Sequence, residues 1–311
     1  MPFFSVVIPL YNKENFIANT IENVLQQSFQ DFEIVIVDDG STDNSFAIAQ
    51  SFNDQRIRIY QQQNSGPSTA RNKGIELSES NYIALLDADD VWQRNHLEEL
   101  HKSISTYPNG ALFCNAYQLK LQQNFTHNAT YNLQNLRDIQ IVKDYFHASI
   151  IHPLAMSSGV AFNKDDFWDL GGFDTKIPSG QDIDLWIKFG LNKTIIFNPA
   201  YTACYDKTVP ASLSKKHIRE VKYQFLNRYK NNDDKLPGFK QFLDINRYAI
   251  AIQCKYYNDY DLLKRLKKDI HPSSLTKKQR FLLNCPAFLV KLIKKAHTFL
   301  IKNNIYLTAF R

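Results

Sequence analysis

Cysteine, glycine and proline are scarce in this chain of 311 residues. The four cysteines form no Cys-x-x-Cys pair, which argues against a zinc ribbon or a disulfide scaffold and favours buried free thiols in a reducing compartment. Ten glycines and eleven prolines leave little material for long flexible linkers. Hydrophobic residues make up 44% and charged residues 22%, so the composition predicts an ordinary globular protein.

Long apolar runs are also missing. No window approaches the roughly 18 uninterrupted apolar residues of a membrane-spanning helix. The segment from Met1 to Ser5 has no charged stretch ahead of an apolar one, so we expect no signal peptide. These features predict a cytoplasmic protein.

The charge is mildly basic, with a net charge of +6 and a pI of about 8.9. Such an excess suits a phosphate-bearing substrate, an anionic membrane or a nucleic acid, and does not choose among them. The first hundred residues are rich in Asp and the last hundred in Lys. This asymmetry indicates an acidic site in front and a basic contact surface behind.

Strand-like and helix-like segments alternate through the first ninety residues. Short apolar runs over 5–10, 32–37, 57–61 and 82–86 predict buried strands, and helical patterns over 16–25, 43–53 and 68–78 separate them. The alternation predicts an open, Rossmann-like, mostly parallel α/β sheet flanked by helices.

The later segments are less regular. We expect a strand over 112–121, a polar loop over 122–135, a helix over 137–150 and a strand over 155–162. Helices are predicted through Trp168 and over 181–189. After about residue 215 the pattern is helical, amphipathic and rich in Lys to the end.

Polar residues follow three of the predicted strands at their carboxyl ends, where ligands bind in open α/β sheets. Asp87 and Asp89 alternate on one extended face, so both carboxylates can point at one place. A divalent cation would relieve their repulsion and could bridge a diphosphate. The alternative is a loop of solvated or helix-capping aspartates, in which Asp90 caps a helix that begins at Val91-Trp92.

Four motifs in order resemble those of family 2 glycosyltransferases of the GT-A fold: SVVIPLYN, VDDGSTD, Asn64-Ser65-Gly66 with Ala70-Arg71-Asn72-Lys73-Gly74, and LLDADD. The resemblance is strongest over about 3–95 and extends to about 190. It implies a GT-A catalytic domain over 1–215, with a nucleotide-sugar half over about 1–95 and an acceptor half over about 96–215. A basic helical extension would occupy 216–311.

The resemblance also implies a donor site. The residues that would line the nucleotide pocket or contact the donor are Pro9, Tyr11, Asn12, Asp38, Asp39, Asn64, Arg71, Asp87 and Ala88. Asp89 would be the ligand of a Mn²⁺ or Mg²⁺ cofactor. Two alternatives stay open: simple turn chemistry for Asp38 and Asp39, and an ion pair of Arg71 with one of them. Gly74 is expected to allow close packing of its helix.

A second segment, Gly171-Gly172-Phe173-Asp174 followed by Gly180-Gln181-Asp182, resembles the part of the family that supplies the catalytic base. The matching residue is Asp182, although Gln181 stands where the family commonly has Glu. The alternative is a carboxylate that only complements a helix N-terminus. We expect a structural role for Asp184 and a core position for Trp186 rather than stacking on a sugar.

The segment 275–311 combines apolar residues at helical spacing with many lysines. It can lie in an anionic membrane interface or pack its apolar face on the domain, and both interpretations stay open. A membrane role would place the protein peripherally on the inner face of the plasma membrane. His217 could contact a metal or phosphate, but a surface position is more typical of a lone His in such a segment.

The sequence therefore predicts an inverting transferase that moves a sugar from a UDP-sugar to a surface polysaccharide or a lipid-linked oligosaccharide. No nucleic-acid partner is expected. The alternatives are an inactive sugar-nucleotide-binding protein and a sugar nucleotidyltransferase, and the second lacks its Gly-rich phosphate loop after the first strand. No Gly-x-Gly-x-x-Gly motif follows that strand, which disfavours a nicotinamide enzyme.

Overall fold

The computed structural model describes residues 1–209, 219–230 and 236–307. These residues form one ten-stranded sheet flanked by helices, which confirms the predicted α/β fold. The first elements in chain order are β1 (Phe4–Leu10), α1 (Ile17–Leu25), β2 (Phe32–Asp38), α2 (Ser45–Gln50), β3 (Ile57–Gln61), α3 (Pro67–Leu77) and β4 (Tyr82–Leu85).

The first four strands are parallel and lie in the order β3-β2-β1-β4. Every residue of β2 is buried, as expected for a continuous apolar strand covered on both faces. Helix α3 approaches β1 at Gly74, where an added Cβ would lie 2.5 Å from Val7 Cγ1. The predicted close packing at Gly74 is therefore confirmed.

The second part of the sheet is mixed. Its elements are β5 (Val91–Trp92), α4 (His96–Thr106), β6 (Leu112–Gln122), β7 (Phe125–Asn128), β8 (Gln140–Ile141), α5 (Tyr145–Ala148), a 3₁₀ turn (Ser157–Gly159), β9 (Val160–Asn163), α6 (Lys164–Asp169), α7 (Gln181–Asn192) and β10 (Ile195–Asp206). The order continues from β4 as β9-β6-β10-β5. Strand β9 is antiparallel to both β4 and β6, whereas β6 and β10 are parallel. The prediction of a mostly parallel sheet is therefore correct for β1 to β4, whereas the second part of the sheet is mixed.

Three local predictions were wrong. Val91-Trp92 does not begin a helix: it pairs antiparallel with β10, and the helix begins at His96. The predicted loop over 122–135 contains β7, which pairs with β6.

The third wrong prediction is the helix over 137–150, of which only the four residues of α5 are α-helical. Asp144 fixes its start, because its carboxylate accepts hydrogen bonds from the backbone N–H groups of Phe146 and His147. The preceding β8 instead pairs with β10.

Helices follow the sheet, as predicted: α8 (Arg219–Asn227), α9 (Pro237–Tyr257), α10 (Tyr260–Asp269), a 3₁₀ turn (Pro272–Ser274), α11 (Lys277–Asn284) and α12 (Ala287–Lys302). Helix α9 packs on the sheet domain, with the Phe239 ring 4.3 Å from that of Phe146. The predicted boundary at 215/216 and His217 fall within 210–218, outside the described residues.

Helix α12 is packed differently from α9. Of its sixteen residues only Val290 is buried, and Phe288, Leu292 and Phe299 are 71%, 59% and 66% exposed. Across the part of the chain that the structure describes, no helix combines the length and hydrophobicity needed to cross a membrane.

Candidate active site

The candidate site lies where β1, β2 and β4 end. Strand β1 sits between the other two, and Leu10 is in register with Asp38. Because the three strands are parallel, the residues that follow them meet at one edge of the sheet.

The loop after β1 is tied to the loop after β2. Asn12 donates its backbone N–H to Ser41 Oγ at 3.0 Å, and its Oδ1 accepts from the Thr42 N–H at 2.8 Å. Asn12 has a positive φ of 50°, a conformation that asparagine tolerates. Tyr11 is 46% exposed at the rim, and Pro9 is half-buried in β1. These hydrogen bonds join the two loops at this edge of the sheet.

Asp39 is buried and holds the start of α3. Its Oδ1 accepts from Gln62 Nε2 at 2.8 Å and the Ser65 N–H at 2.9 Å, and its Oδ2 accepts from the Gly66 N–H at 2.8 Å. A carboxylate has about four acceptor positions, so one more donor can be accommodated. The neighbouring Asn64 is exposed.

Asp38 is fully buried at the end of β2. Its Oδ2 accepts from the Ser41 N–H at 3.2 Å and from Gln61 Nε2 at 3.0 Å. Its Oδ1 has no hydrogen-bond partner among the described residues. Turn chemistry therefore accounts for one oxygen of Asp38 and leaves the other as an acceptor.

Arg71 of α3 pairs with Asp87 at the end of β4. Its Nη2 donates to Asp87 Oδ1 at 2.5 Å, and the guanidinium lies 5.4 Å from the centre of the Phe173 ring. Burial works against the guanidinium charge, but Asp87, then Asp182 and Asp89, raise the pKa of Arg71. The predicted pairing of Arg71 with Asp38 or Asp39 is wrong, because β4 and not β2 presents the carboxylate.

Asp89 pairs with Lys13 from the loop after β1. The Lys13 Nζ lies 2.6 Å from Asp89 Oδ2, and each side chain is 17% exposed. Burial raises the pKa of Asp89, while the hydrogen bond from Lys13 opposes that shift. The adjacent Ala88 is buried, and its carbonyl accepts from Thr20 Oγ1 at 2.9 Å.

Asp90 is a structural residue and not a helix cap. Its carboxylate accepts from Ser158 Oγ at 2.6 Å and from the Asp206 N–H at 3.1 Å. Ser158 Oγ also accepts from the Asp87 N–H at 3.0 Å. Burial, followed by the charge of Asp87, raises the pKa of Asp90. Asp90 thus ties the end of β4 to β10, and the capping alternative was wrong because no helix starts there.

The carboxylates of the candidate site provide few ligands for a divalent cation. No group of three or more His, Cys, Asp or Glu side chains within residues 1–209, 219–230 and 236–307 is arranged to hold a metal. Asp89 is a partly exposed oxygen donor, and Mg²⁺ is commonly held by one or two carboxylates plus substrate phosphates. The donor set therefore fits an ion that arrives together with a diphosphate.

Asp182 lies in the first turn of α7, after Gly180 with a positive φ of 91°. It is partly exposed, and its Oδ1 accepts from the Ile183 N–H at 2.9 Å. Its charge, after that of Asp87, raises the pKa of the buried Arg71.

Two neighbours of Asp182 on α7 are structural, as predicted. Asp184 is buried, accepts from the Tyr229 hydroxyl at 2.7 Å and pairs with Lys188 at 2.9 Å. Trp186 is only 2% exposed and packs in the core.

Lys13 and Asn72 also make contacts at the site, and neither was predicted from the sequence. The Asn72 side chain donates to the Phe173 carbonyl at 2.9 Å and accepts from the Phe173 N–H at 3.1 Å. It thereby joins α3 to the turn that precedes α7. Asn72 lies inside a quoted motif and Lys13 directly follows another, which was the available signal, but neither partner is close in sequence.

Known proteins that resemble this chain agree with this architecture. The family model described as glycosyl transferase family 2 matches residues 5–170. The putative teichuronic acid biosynthesis glycosyltransferase TuaG of Bacillus subtilis (strain 168) is 43% identical over 101 residues, which is 32% of this chain and 40% of TuaG. The chain spans only 15–40% of the length of this and three other curated relatives.

Two solved structures share the fold. S. aureus TarS 1-349 in complex with UDP-GlcNAc superposes with a TM-score of 0.71 at 18% identity, covering 98% of this chain and 93% of that one. The mannosyltransferase PcManGT from Pyrobaculum calidifontis, in complex with GDP-Man and Mn²⁺, gives 0.59 at 17% identity, covering 96% and 81%.

Proposed function

The chain belongs to glycosyl transferase family 2, and from this we propose that it transfers a sugar, with inversion, from a UDP-sugar to an acceptor hydroxyl. One observation carries the proposal. The buried guanidinium of Arg71 pairs with Asp87 at 2.5 Å, and after Asp87 the charges of Asp182, from a distant part of the chain, and of Asp89 also raise its pKa. A buried arginine whose pKa is shifted by carboxylates is typical of active sites.

The donor nucleotide would lie over the ends of β1 and β2. Asp38 and Asp39 each keep an acceptor position, and the uracil N3–H is a donor of the matching kind. Arg71 has unpartnered Nε and Nη1 groups among the described residues, which suit phosphate or ribose oxygens. The TarS structure with UDP-GlcNAc supports a nucleotide-sugar donor.

A Mn²⁺ or Mg²⁺ ion would be held by Asp89. When bound, it supplies charge neutralisation for the departing diphosphate. The PcManGT structure with Mn²⁺ supports this assignment. Asp87, held by Arg71, would contact the ribose or the sugar of the donor.

Asp182 would act as the general base. Its carboxylate is partly exposed and accepts only the adjacent backbone N–H among the described contacts, so it can receive a proton from a hydroxyl. Deprotonation on the face opposite the diphosphate allows in-line attack on the anomeric carbon, which inverts its configuration.

The acceptor would be a polysaccharide or a lipid-linked oligosaccharide at an anionic membrane surface. Residues 275–311 contain eight Lys and Arg residues and no Asp or Glu. The exposed apolar side chains of α12 lie within this basic segment. Exposed aromatic and aliphatic groups beside lysines are typical of interfacial helices, which supports peripheral binding over packing on the domain.

Hydrolysis and binding of UDP-sugars test the proposal. We expect the full chain to bind UDP in the presence of Mn²⁺ and to release UDP slowly from one UDP-sugar, with both effects abolished by EDTA. Binding without any turnover on an array of acceptors would favour an inactive sugar-nucleotide-binding protein. Absence of both binding and turnover would refute the proposal.

A further inference from the structure

Lys13 forms an ion pair with Asp89, the carboxylate proposed to bind the metal. Its Nζ lies 2.6 Å from Asp89 Oδ2. We infer that Lys13 is the resting counter-ion of Asp89, and that its displacement makes metal binding depend on the nucleotide diphosphate. This inference rests on the proposed function.

Asp89 has no other cation within ion-pair distance in the described part of the chain. Arg71 is bonded to Asp87, and Asp90 is bonded to Ser158 and to a backbone N–H. A partly buried carboxylate beside a second carboxylate is costly when unpaired. Lys13 therefore stabilises the cluster as long as no metal is present.

The Lys13 main chain is fixed, and its side chain is the movable part. The Lys13 N–H donates to Ser45 Oγ at 2.7 Å, and the next N–H, of Glu14, donates to Asp43 Oδ2 at 3.1 Å. An ammonium on a flexible four-carbon stem acts as a point charge and lacks the bidentate geometry that locks an arginine. The ammonium can leave Asp89 while the loop stays in place.

A divalent ion and an ammonium repel each other at one carboxylate oxygen. In the free protein the metal must displace Lys13, which lowers its affinity. A bound diphosphate offers the ammonium new anionic partners and adds oxygen ligands for the metal. Metal and nucleotide consequently favour each other's binding, and linkage makes this effect reciprocal.

Mn²⁺ binding to the full chain tests the inference, with free hydrated Mn²⁺ measured by electron paramagnetic resonance with and without UDP. In Lys13→Met we expect Mn²⁺ to bind about tenfold more tightly without UDP, and the gain on adding UDP to shrink by a similar factor. Lys13→Arg keeps the charge and can hold Asp89 in a bidentate pair, so without UDP it should bind Mn²⁺ no more tightly than the wild type. Lys102→Met is the matched control, because Lys102 forms an equally short 2.6 Å pair with Glu99 on α4, where the Lys102 side chain is 51% exposed.

The outcomes are distinct. If the wild type binds Mn²⁺ and UDP together but Lys13→Met binds Mn²⁺ alone no better than the wild type, the inference is wrong and the proposed function stands. If the wild type binds neither, the proposed function itself fails. Thermal unfolding monitors folding of each variant, and Lys13→Gln provides the same comparison if the methionine variant is unfolded.

Discussion

Arg71 and Asp87 form a 2.5 Å ion pair between α3 and the end of β4, with the arginine buried and the aspartate side chain 31% exposed. Arg71→Met would leave Asp87 beside Asp89 and Asp90 without its cation. We expect the free energy of unfolding to fall by about 1–3 kcal/mol, less than for a fully buried pair because water reaches Asp87. Urea denaturation measures the change.

Arg265 offers a matched control for Arg71. Its pair with Glu220 is also 2.5 Å long, but both side chains are about half exposed at 48% and 45%. Arg265→Met should leave stability unchanged, since exposed pairs contribute little. Equal losses in the two variants would contradict the view that burial gives the Arg71 pair its importance.

Asp182→Asn removes a proton acceptor and keeps the size of the side chain. Transfer should fall by at least about 100-fold, as expected for a lost general base, while UDP affinity with Mn²⁺ stays unchanged. Calorimetric titration and a transfer assay separate the two effects. Asp184→Asn, two residues along α7, should instead lower thermal stability, because Asp184 holds Tyr229 and Lys188. Loss of UDP binding in Asp182→Asn would remove its assignment as base.

Gly74→Ala tests the contact between α3 and β1. The new methyl group would lie 2.5 Å from Val7 Cγ1, so the Val7 side chain, the helix or the strand must shift. Overpacking should lower the free energy of unfolding by about 1–3 kcal/mol, more than the gain in helix propensity. The double variant Val7→Ala/Gly74→Ala should recover part of the loss. A Gly74→Ala protein as stable as the wild type would show that this packing is loose.

His96 predicts a particular pH dependence of stability. It is fully buried, contacts Thr202 Oγ1 at 2.7 Å, and burial lowers the pKa of its imidazole to about 3. The imidazole of the unfolded chain has a pKa of about 6.5. Below that pH the unfolded chain binds a proton that the folded protein excludes, so stability falls steadily towards pH 3.

The His96 effect can be isolated by substitution. Between about pH 7 and pH 5 the wild type should lose about 2 kcal/mol more unfolding free energy than His96→Asn, which does not titrate. Denaturant unfolding at both pH values measures the difference. Parallel pH profiles of the two proteins would show that His96 is protonated in the folded state.

Helix α12 should bind anionic vesicles. Phe288→Ser/Phe299→Ser removes two exposed apolar side chains, and vesicle affinity should fall by at least about tenfold, since each buried Phe contributes about 1.5–3 kcal/mol. Cosedimentation with phosphatidylglycerol vesicles, and with neutral vesicles for comparison, measures this. Tyr260→Ser on α10 is the matched control, with a residue 58% exposed. Equal binding of all three proteins would exclude α12 as the contact surface.

The sequence predicted β1 to β4 well, because each is a short apolar run that stops at polar residues. It failed at Val91-Trp92 and over 137–150. There the structure depends on pairing with β10, which lies about fifty to over a hundred residues further along the chain. Local pattern carries no information about such a distant partner.

The sequence predicted which aspartates lie in the candidate site, but it did not predict the ion pairs that they form. The motifs place Asp38, Asp87 and Asp89 at one edge of the sheet. Which cation meets which carboxylate depends on side-chain geometry across neighbouring strands, so neither Lys13 on Asp89 nor Arg71 on Asp87 could be predicted.

The contact between Asn72 and Phe173 makes α3 a direct connection between two parts of the candidate site. Arg71 and Asn72 are consecutive residues. Arg71 donates a hydrogen bond to Asp87, and Asn72 forms two hydrogen bonds with Phe173 in the turn ahead of α7. A movement of α3 would therefore be felt in the segment that leads to Asp182. With Asp182 as the proposed base, the state of the proposed donor site and the position of that carboxylate would then change together.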